Sequence, residues 1–232
     1  MNDVKIYQDI KARENGILKG VYLYLILGLV VTAAVSVLVS MTKIALVVAT
    51  NMFALILVAV VQIALVIYLS SRIESMSRNS AILAFLGYSA LTGLTFSSIL
   101  IFFSETALLK ALVSAVATFA AASVYGAFSK KDVRGWGRYL TMALFGLLVA
   151  SLINMFFFSS TLDLLISCAG VILFTGITVW DTNKICAMNQ AFGTSVSADD
   201  MHKLSILGAL DLYLDFINIF LYLLRLFARS DN

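Results

Sequence analysis

The chain has 232 residues, of which 61% are hydrophobic and only 12% charged, with two cysteines and no proline. Apolar stretches of near membrane-spanning length recur along almost all of it, which excludes a water-soluble domain. The net charge of +3 is scattered over the ends of those stretches, so there is no basic patch for nucleic acid.

The first twenty residues carry Lys5, Lys11, Arg13 and Lys19 among acids. The apolar run behind them is longer than a signal-peptide core, so residues 1–20 are expected to form an uncleaved amino-terminal tail. Seven predicted spans follow in one transmembrane domain, residues 21–232: Val21–Met41, Ile44–Ser70, Ala81–Phe103, Thr106–Phe128, Tyr139–Phe158, Leu162–Trp180 and Leu204–Phe227. Connections this short leave no room for a soluble domain. In lipid every backbone polar group must be satisfied internally, so the expected fold is all-α, a polytopic bundle of seven helices.

Within the spans, Asn51, Gln62 and Asn154 are read as interhelical hydrogen-bonding groups, and Ala117–Ser123 as a small-residue packing face. The longest connection, Asn183–Lys203, contains GTSVSADD and the only histidine, His202. It is read as an exposed loop, with Asp199 and Asp200 as helix-start charges before the last span. Cys168 and Cys186 have no metal-ligand or redox spacing and read as small apolar packing groups. A single histidine rules out an imidazole cluster or a histidine-based triad, and no phosphate-cradling loop, nucleophile elbow or zinc-protease helix is present. Neither enzymatic activity nor a resident cofactor is expected.

Assigning loops alternately to the two sides leaves only Lys43, Lys110, Arg225 and Arg229, of 16 Lys and Arg, opposite the amino terminus. The positive-inside rule then puts the amino terminus in the cytoplasm of a bacterial cytoplasmic-membrane protein. Arg225 and Arg229 near an outside carboxyl end keep open a second topology, in which the last segment re-enters instead of crossing.

That last segment carries the strongest functional signal. Asp211 and Asp215 lie inside a stretch long enough to cross a bilayer, where each ionisable group costs about 2.5–3.5 kcal/mol on insertion scales. At ~100° per residue, Gly208, Asp211, Asp215, Asn218, Tyr222 and Arg225 share one narrow helix face. Lipid does not solvate such a stripe, so it must meet other helices or a watery cavity; an interhelical hydrogen-bond seam is the bland alternative.

The tracts SILGALDLYLDFINIFLYLLRLF, GVILFTGITVWDTNKI, YSALTGLTFSSIL and VYGAFSKKDVRGWG together resemble the bacterial branch of the Bax-inhibitor-type (transmembrane Bax inhibitor motif) family, and the resemblance covers nearly the whole chain. It implies seven helices with the last one central, surrounded by the other six. It also implies a pH-sensing aspartate dyad of Asp181 and Asp215, which doubles as the metal site for a transported Ca²⁺, and a latch at Arg72 in SSRIESM. Asp211, with Asn218 on the same face, is a secondary cation-path position. One departure is Trp180, where many relatives carry tyrosine, which removes a hydroxyl beside Asp181.

Two carboxyls held close in a poorly solvated site cannot both ionise cheaply, so they share a proton and titrate as a pair. The expected activity is therefore a pH-sensitive leak or transporter for Ca²⁺ or another cation, embedded in the lipid bilayer. The alternative from the same resemblance is a regulatory partner of a membrane-bound quality-control protease, bound through Met1–Gly20. Intramembrane aspartyl proteolysis is a third reading, but VWDTNK and LYLDFI give neither the YD nor the GxGD pattern in full.

Overall fold

The computed structural model of the chain describes residues 2–129, 133, 135–192 and 198–230. Eight α-helices occupy the described residues: α1 Asn2–Ser40, α2 Lys43–Thr50, α3 Met52–Arg72, α4 Arg78–Phe102, α5 Glu105–Phe128, α6 Trp136–Phe157, α7 Ser160–Phe192 and α8 Ala198–Ser230, with one 3₁₀ turn at Ile73–Ser75. All but α2 contain a stretch long and apolar enough to cross a membrane, so the protein is a polytopic transmembrane bundle of seven helices. No proline interrupts the backbone ladder of α1, α7 and α8, which run for 39, 33 and 33 residues. At 1.5 Å per residue α8 measures about 50 Å, enough to cross in one piece.

Between the spans, polar side chains stop one helix and start the next. Ser77 and Ser104 each accept a hydrogen bond from the backbone N–H three residues on, at Ser80 and Ala107, satisfying N–H groups that a helix start leaves orphaned. The same chemistry corrects the second expected span. Residues 44–70 do not form one helix, because Asn51 Oδ1 accepts from both Phe53 N and Ala54 N and so starts α3 anew, leaving α2 as a separate short helix. Asn51 is thus a cap within its own segment, not an interhelical group. Asn154 is corrected likewise: its carbonyl accepts from Phe158 N and its Oδ1 from Ser159 N, which closes α6 on a left-handed Phe158 with φ 49°. Gln62 does bridge helices, donating to Thr92 Oγ1 at 3.3 Å. Asn51→Ala is expected to cost about 1 kcal/mol through the lost cap, read as a lower melting midpoint in detergent. An unchanged midpoint would mean that α3 starts without it.

The Asn183–Lys203 connection is also corrected. Helix α7 continues to Phe192 and α8 begins at Ala198, so most of the stretch is helical and His202 lies in a helix; GTSVS, residues 193–197, is outside the described residues. Lys203 stands 3.3 Å from Asp199 and 3.6 Å from Asp200, so these acids are first-turn charges, as expected.

Two compact units emerge. The first contains residues 1–103 and 188–213. There α1 and α4 are pressed together: a Cβ on Gly93 would stand 2.7 Å from the Thr32 carbonyl oxygen, and one on Gly28 would strike the Phe85 ring. Tyr213 is held among them, its hydroxyl 2.6 Å from Thr32 Oγ1 and its ring edge-on to Phe85 and Tyr88. The second unit contains residues 104–187 and 214–232. Its α5 presents Ala107, Ala111, Ala115, Ala122 and Gly126 as a buried small-residue ridge, which lets helix backbones approach where lipid offers no hydrophobic drive. Exposure differs sharply among the spans. Only 6% of the α3 and α6 spans is buried, against 67% of the α8 span, which carries Asp211 and Asp215.

Candidate functional site

Three contacts fix how α7 meets the second half of α8. Arg229 donates to the Ser160 carbonyl. Further along, the Tyr222 ring fills the space over Gly170, where a Cβ would be only 2.6 Å from ring carbons, and it stacks on Phe174 with centroids 5.9 Å apart. Residue numbers rise along α7 as they fall along α8, so the two helices are antiparallel. Seven residues beyond Phe174 in α7 is Asp181, and seven residues before Tyr222 in α8 is Asp215. Seven residues are two helical turns, ~10.5 Å, and return to nearly the same face.

Both carboxylates are buried. Asp181 is 6% and Asp215 3% exposed, and Asp215 Oδ2 is sealed from solvent. Around Asp181 the local sequence accounts for the enclosure. Trp180 lies over Gly137, where a Cβ would stand 2.6 Å from the indole; the indole is accommodated by a residue without a side chain. Lys184, one turn on, reaches to 3.8 Å from Asp181 Oδ1 while its ammonium sits 5.3 Å from the Trp180 ring centre. On the α5 side, Asn183 Nδ2 donates to the Gly126 carbonyl. Next to Asp215, Phe216 packs edge-on against Phe119 of α5 with centroids 5.6 Å apart.

The other expected residues stand in different surroundings. Asp211, one turn from Asp215 along α8, is half-buried and belongs to the first unit. Asn218 is half-buried too, and its Nδ2 is committed to the Leu214 carbonyl at 2.7 Å, within its own helix. Arg72 closes α3 in the first unit with its side chain exposed; its backbone carbonyl accepts from Ser75 Oγ and Met76 N. Among the described residues no three His, Cys, Asp or Glu side chains gather into a metal-holding group.

Three features went unread in the sequence. Lys184 is the cation beside Asp181, and its i,i+3 spacing was there to be used. Ser123 and Thr182 have buried hydroxyls without a hydrogen bond among the described residues, which no spacing reveals. Finally, a cavity of about 510 Å³ opens where α6 turns into α7, lined by Ser151, Asn154, Ser159, Asp163 and Arg225 among others. Arg225, with its guanidinium 5.5 Å from the Tyr222 ring centre, joins that cavity to the polar stripe of α8.

Comparison with known proteins agrees with this architecture. The profile of a family described as "Inhibitor of apoptosis-promoting Bax1" matches residues 14–232. The inner membrane protein YbhL of Escherichia coli is 43% identical over 180 residues, covering 78% of this chain and 76% of the relative. A Deinococcus radiodurans protein is 42% identical over 211 residues, 90% of this chain and 89% of the relative, and one from Borreliella burgdorferi is 38% identical over 183 residues, 79% and 78%. A helical membrane protein matched over almost its full length by this profile, the chain belongs to the Bax inhibitor family.

Proposed function

We propose that the protein is a cation leak or transport pathway, with Ca²⁺ as its leading substrate, in the cytoplasmic membrane, and that protonation of Asp181 and Asp215 gates it. The observation that carries this reading is the burial of two carboxylates, two turns from the same Phe174–Tyr222 ring contact on antiparallel helices. On this reading the register holds for two more turns and sets the acids at one level, where two negative charges repel and one proton relieves the repulsion. A bare structural seam would be built more cheaply from amides and hydroxyls, since each carboxylate adds a desolvation cost that neutral groups avoid. The name of the Escherichia coli relative supports the inner-membrane location, and the excess of Lys and Arg on alternate loops supports a cytoplasmic amino terminus.

The test is flux of Ca²⁺, Na⁺ and K⁺ through liposomes that contain only this protein, across about pH 5 to 8. Flux that changes with pH is the expected result. Complete absence of flux sinks the proposal and favours the regulatory-partner role through residues 1–20. Within the assay, Lys184→Ala should leave flux pH-dependent and change its level only slightly, because the lysine is 41% exposed and water screens most of its effect on Asp181. Arg72→Ala tests the latch separately: as a latch it alters the resting leak, and an unchanged leak with an unchanged midpoint removes Arg72 from the mechanism.

A further inference from the structure

Hydroxyls in helices have a default partner. Serine and threonine side chains fold back onto the carbonyl three or four residues earlier, and α7 does this at Thr175, bonded to the Val171 carbonyl at 2.6 Å, and at Thr178, bonded to the Phe174 carbonyl at 2.7 Å. Thr182, one turn further, makes no hydrogen bond among the described residues although it is 0% exposed. Ser123 of α5, 4% exposed, makes none either. A buried hydroxyl left so costs about 1–3 kcal/mol, and native structures keep few of them without a water or ion to serve.

Their positions are informative. A Cβ built on Gly126 of α5 would lie 3.0 Å from Thr182 Cβ and 2.6 Å from the Val179 carbonyl oxygen, so Thr182 stands where α5 and α7 meet at Gly126. Ser123 is one turn before Gly126 and one turn after Phe119, the residue by which α5 touches Phe216 of α8. Along α5, Ser123 therefore sits between the contact with α8 beside Asp215 and the contact with α7 beside Asp181. Ser123, Thr182, Asp181 and Asp215 are each more than nine-tenths buried.

We infer that the Ser123 and Thr182 hydroxyls are oxygen ligands for the cation that the acid pair admits. The inference rests on the proposed function and extends it. A hard cation shedding water needs more oxygens than two carboxylates supply, and neutral hydroxyls add ligands without adding charge to be buried. Two further oxygens would hold the ion through a step in which it has exchanged bulk water for protein.

The experiment is equilibrium binding of radioactive Ca²⁺ to the full-length protein in detergent, with melting midpoints measured in parallel for wild type, Thr182→Val, Thr182→Ser and Ser123→Ala. Valine keeps the threonine shape and removes only the oxygen, so Thr182→Val should bind Ca²⁺ about tenfold more weakly, the worth of one lost charge-assisted contact, while Thr182→Ser stays within about twofold of wild type. Ser123→Ala should weaken binding in the same direction. If Thr182→Val and Ser123→Ala bind as wild type does and melt higher, the hydroxyls are merely unsatisfied groups, whose replacement by apolar ones is neutral or stabilising, and the inference is overturned. A wild-type protein that binds no Ca²⁺ at millimolar concentration overturns it as well. Hydroxyl-dependent binding with no flux in liposomes would leave this site standing and sink the conduction reading alone.

Discussion

Asp215→Asn is expected to abolish the pH dependence of cation flux, so that the ratio of fluxes at acid and neutral pH collapses toward unity. Asparagine keeps the volume and one carbonyl oxygen of the side chain but holds no titratable proton. Asp215 is 3% exposed within the most buried span, and under the proposed function the change acts on its pair with Asp181 as a unit. Asp199→Asn is the matched control. Asp199 lies in the exposed first turn of α8, 3.3 Å from Lys203, where water screens it and the pH response should stay near wild type. Asp211→Ala occupies the middle. It lies ~6 Å from Asp215 along the helix axis, and under the proposed function it adds negative potential for the cation without sharing the gating proton. It should lower cation affinity or selectivity and leave the pH midpoint within a few tenths of a unit. Equal losses for Asp199→Asn and Asp215→Asn would indicate general damage. A flat response for Asp211→Ala with a preserved one for Asp215→Ala would mean that the wrong aspartate was assigned to the pair.

The sequence shows spans and buried acids because both are local properties. An apolar run near twenty residues marks a spanning helix whatever surrounds it, and a carboxylate inside such a run is costly in any fold. Asn51 shows where that reading stops. A lone amide in an apolar stretch looks like a packing group, yet its side chain bonds the next two N–H groups and divides the stretch into α2 and α3. Hydropathy sees composition and not capping geometry. The stretch after Trp180 misled in the opposite sense: its polar residues look like a loop, but helices emerge past the apolar zone, and α7 runs on to Phe192. Thr182 is beyond sequence reasoning altogether, since one residue type either bonds its own helix, as at Thr178, or leaves its hydroxyl turned away. Thr182 is the one that packs against Gly126 of α5.

That packing makes Gly126 a position where a large structural effect is expected. A methyl group there would stand 2.6 Å from the Val179 carbonyl oxygen and 3.0 Å from Thr182 Cβ. The first of these is backbone and cannot rotate aside, so α5 and α7 must separate. Overpacking of this kind costs about 1–3 kcal/mol. It would also disturb the Asn183 hydrogen bond to the Gly126 carbonyl, 3.2 Å long, on the same turn as Asp181. Gly126→Ala should therefore lower the melting midpoint and reduce flux together. Gly146→Ala in α6 supplies the comparison, because a Cβ there meets nothing within 4 Å and alanine is favoured over glycine in a helix by about 1 kcal/mol. It should melt at or above wild type with flux unchanged. Were the two substitutions to behave alike, the close approach of α5 and α7 would not be what holds Thr182 and Asp181 in place.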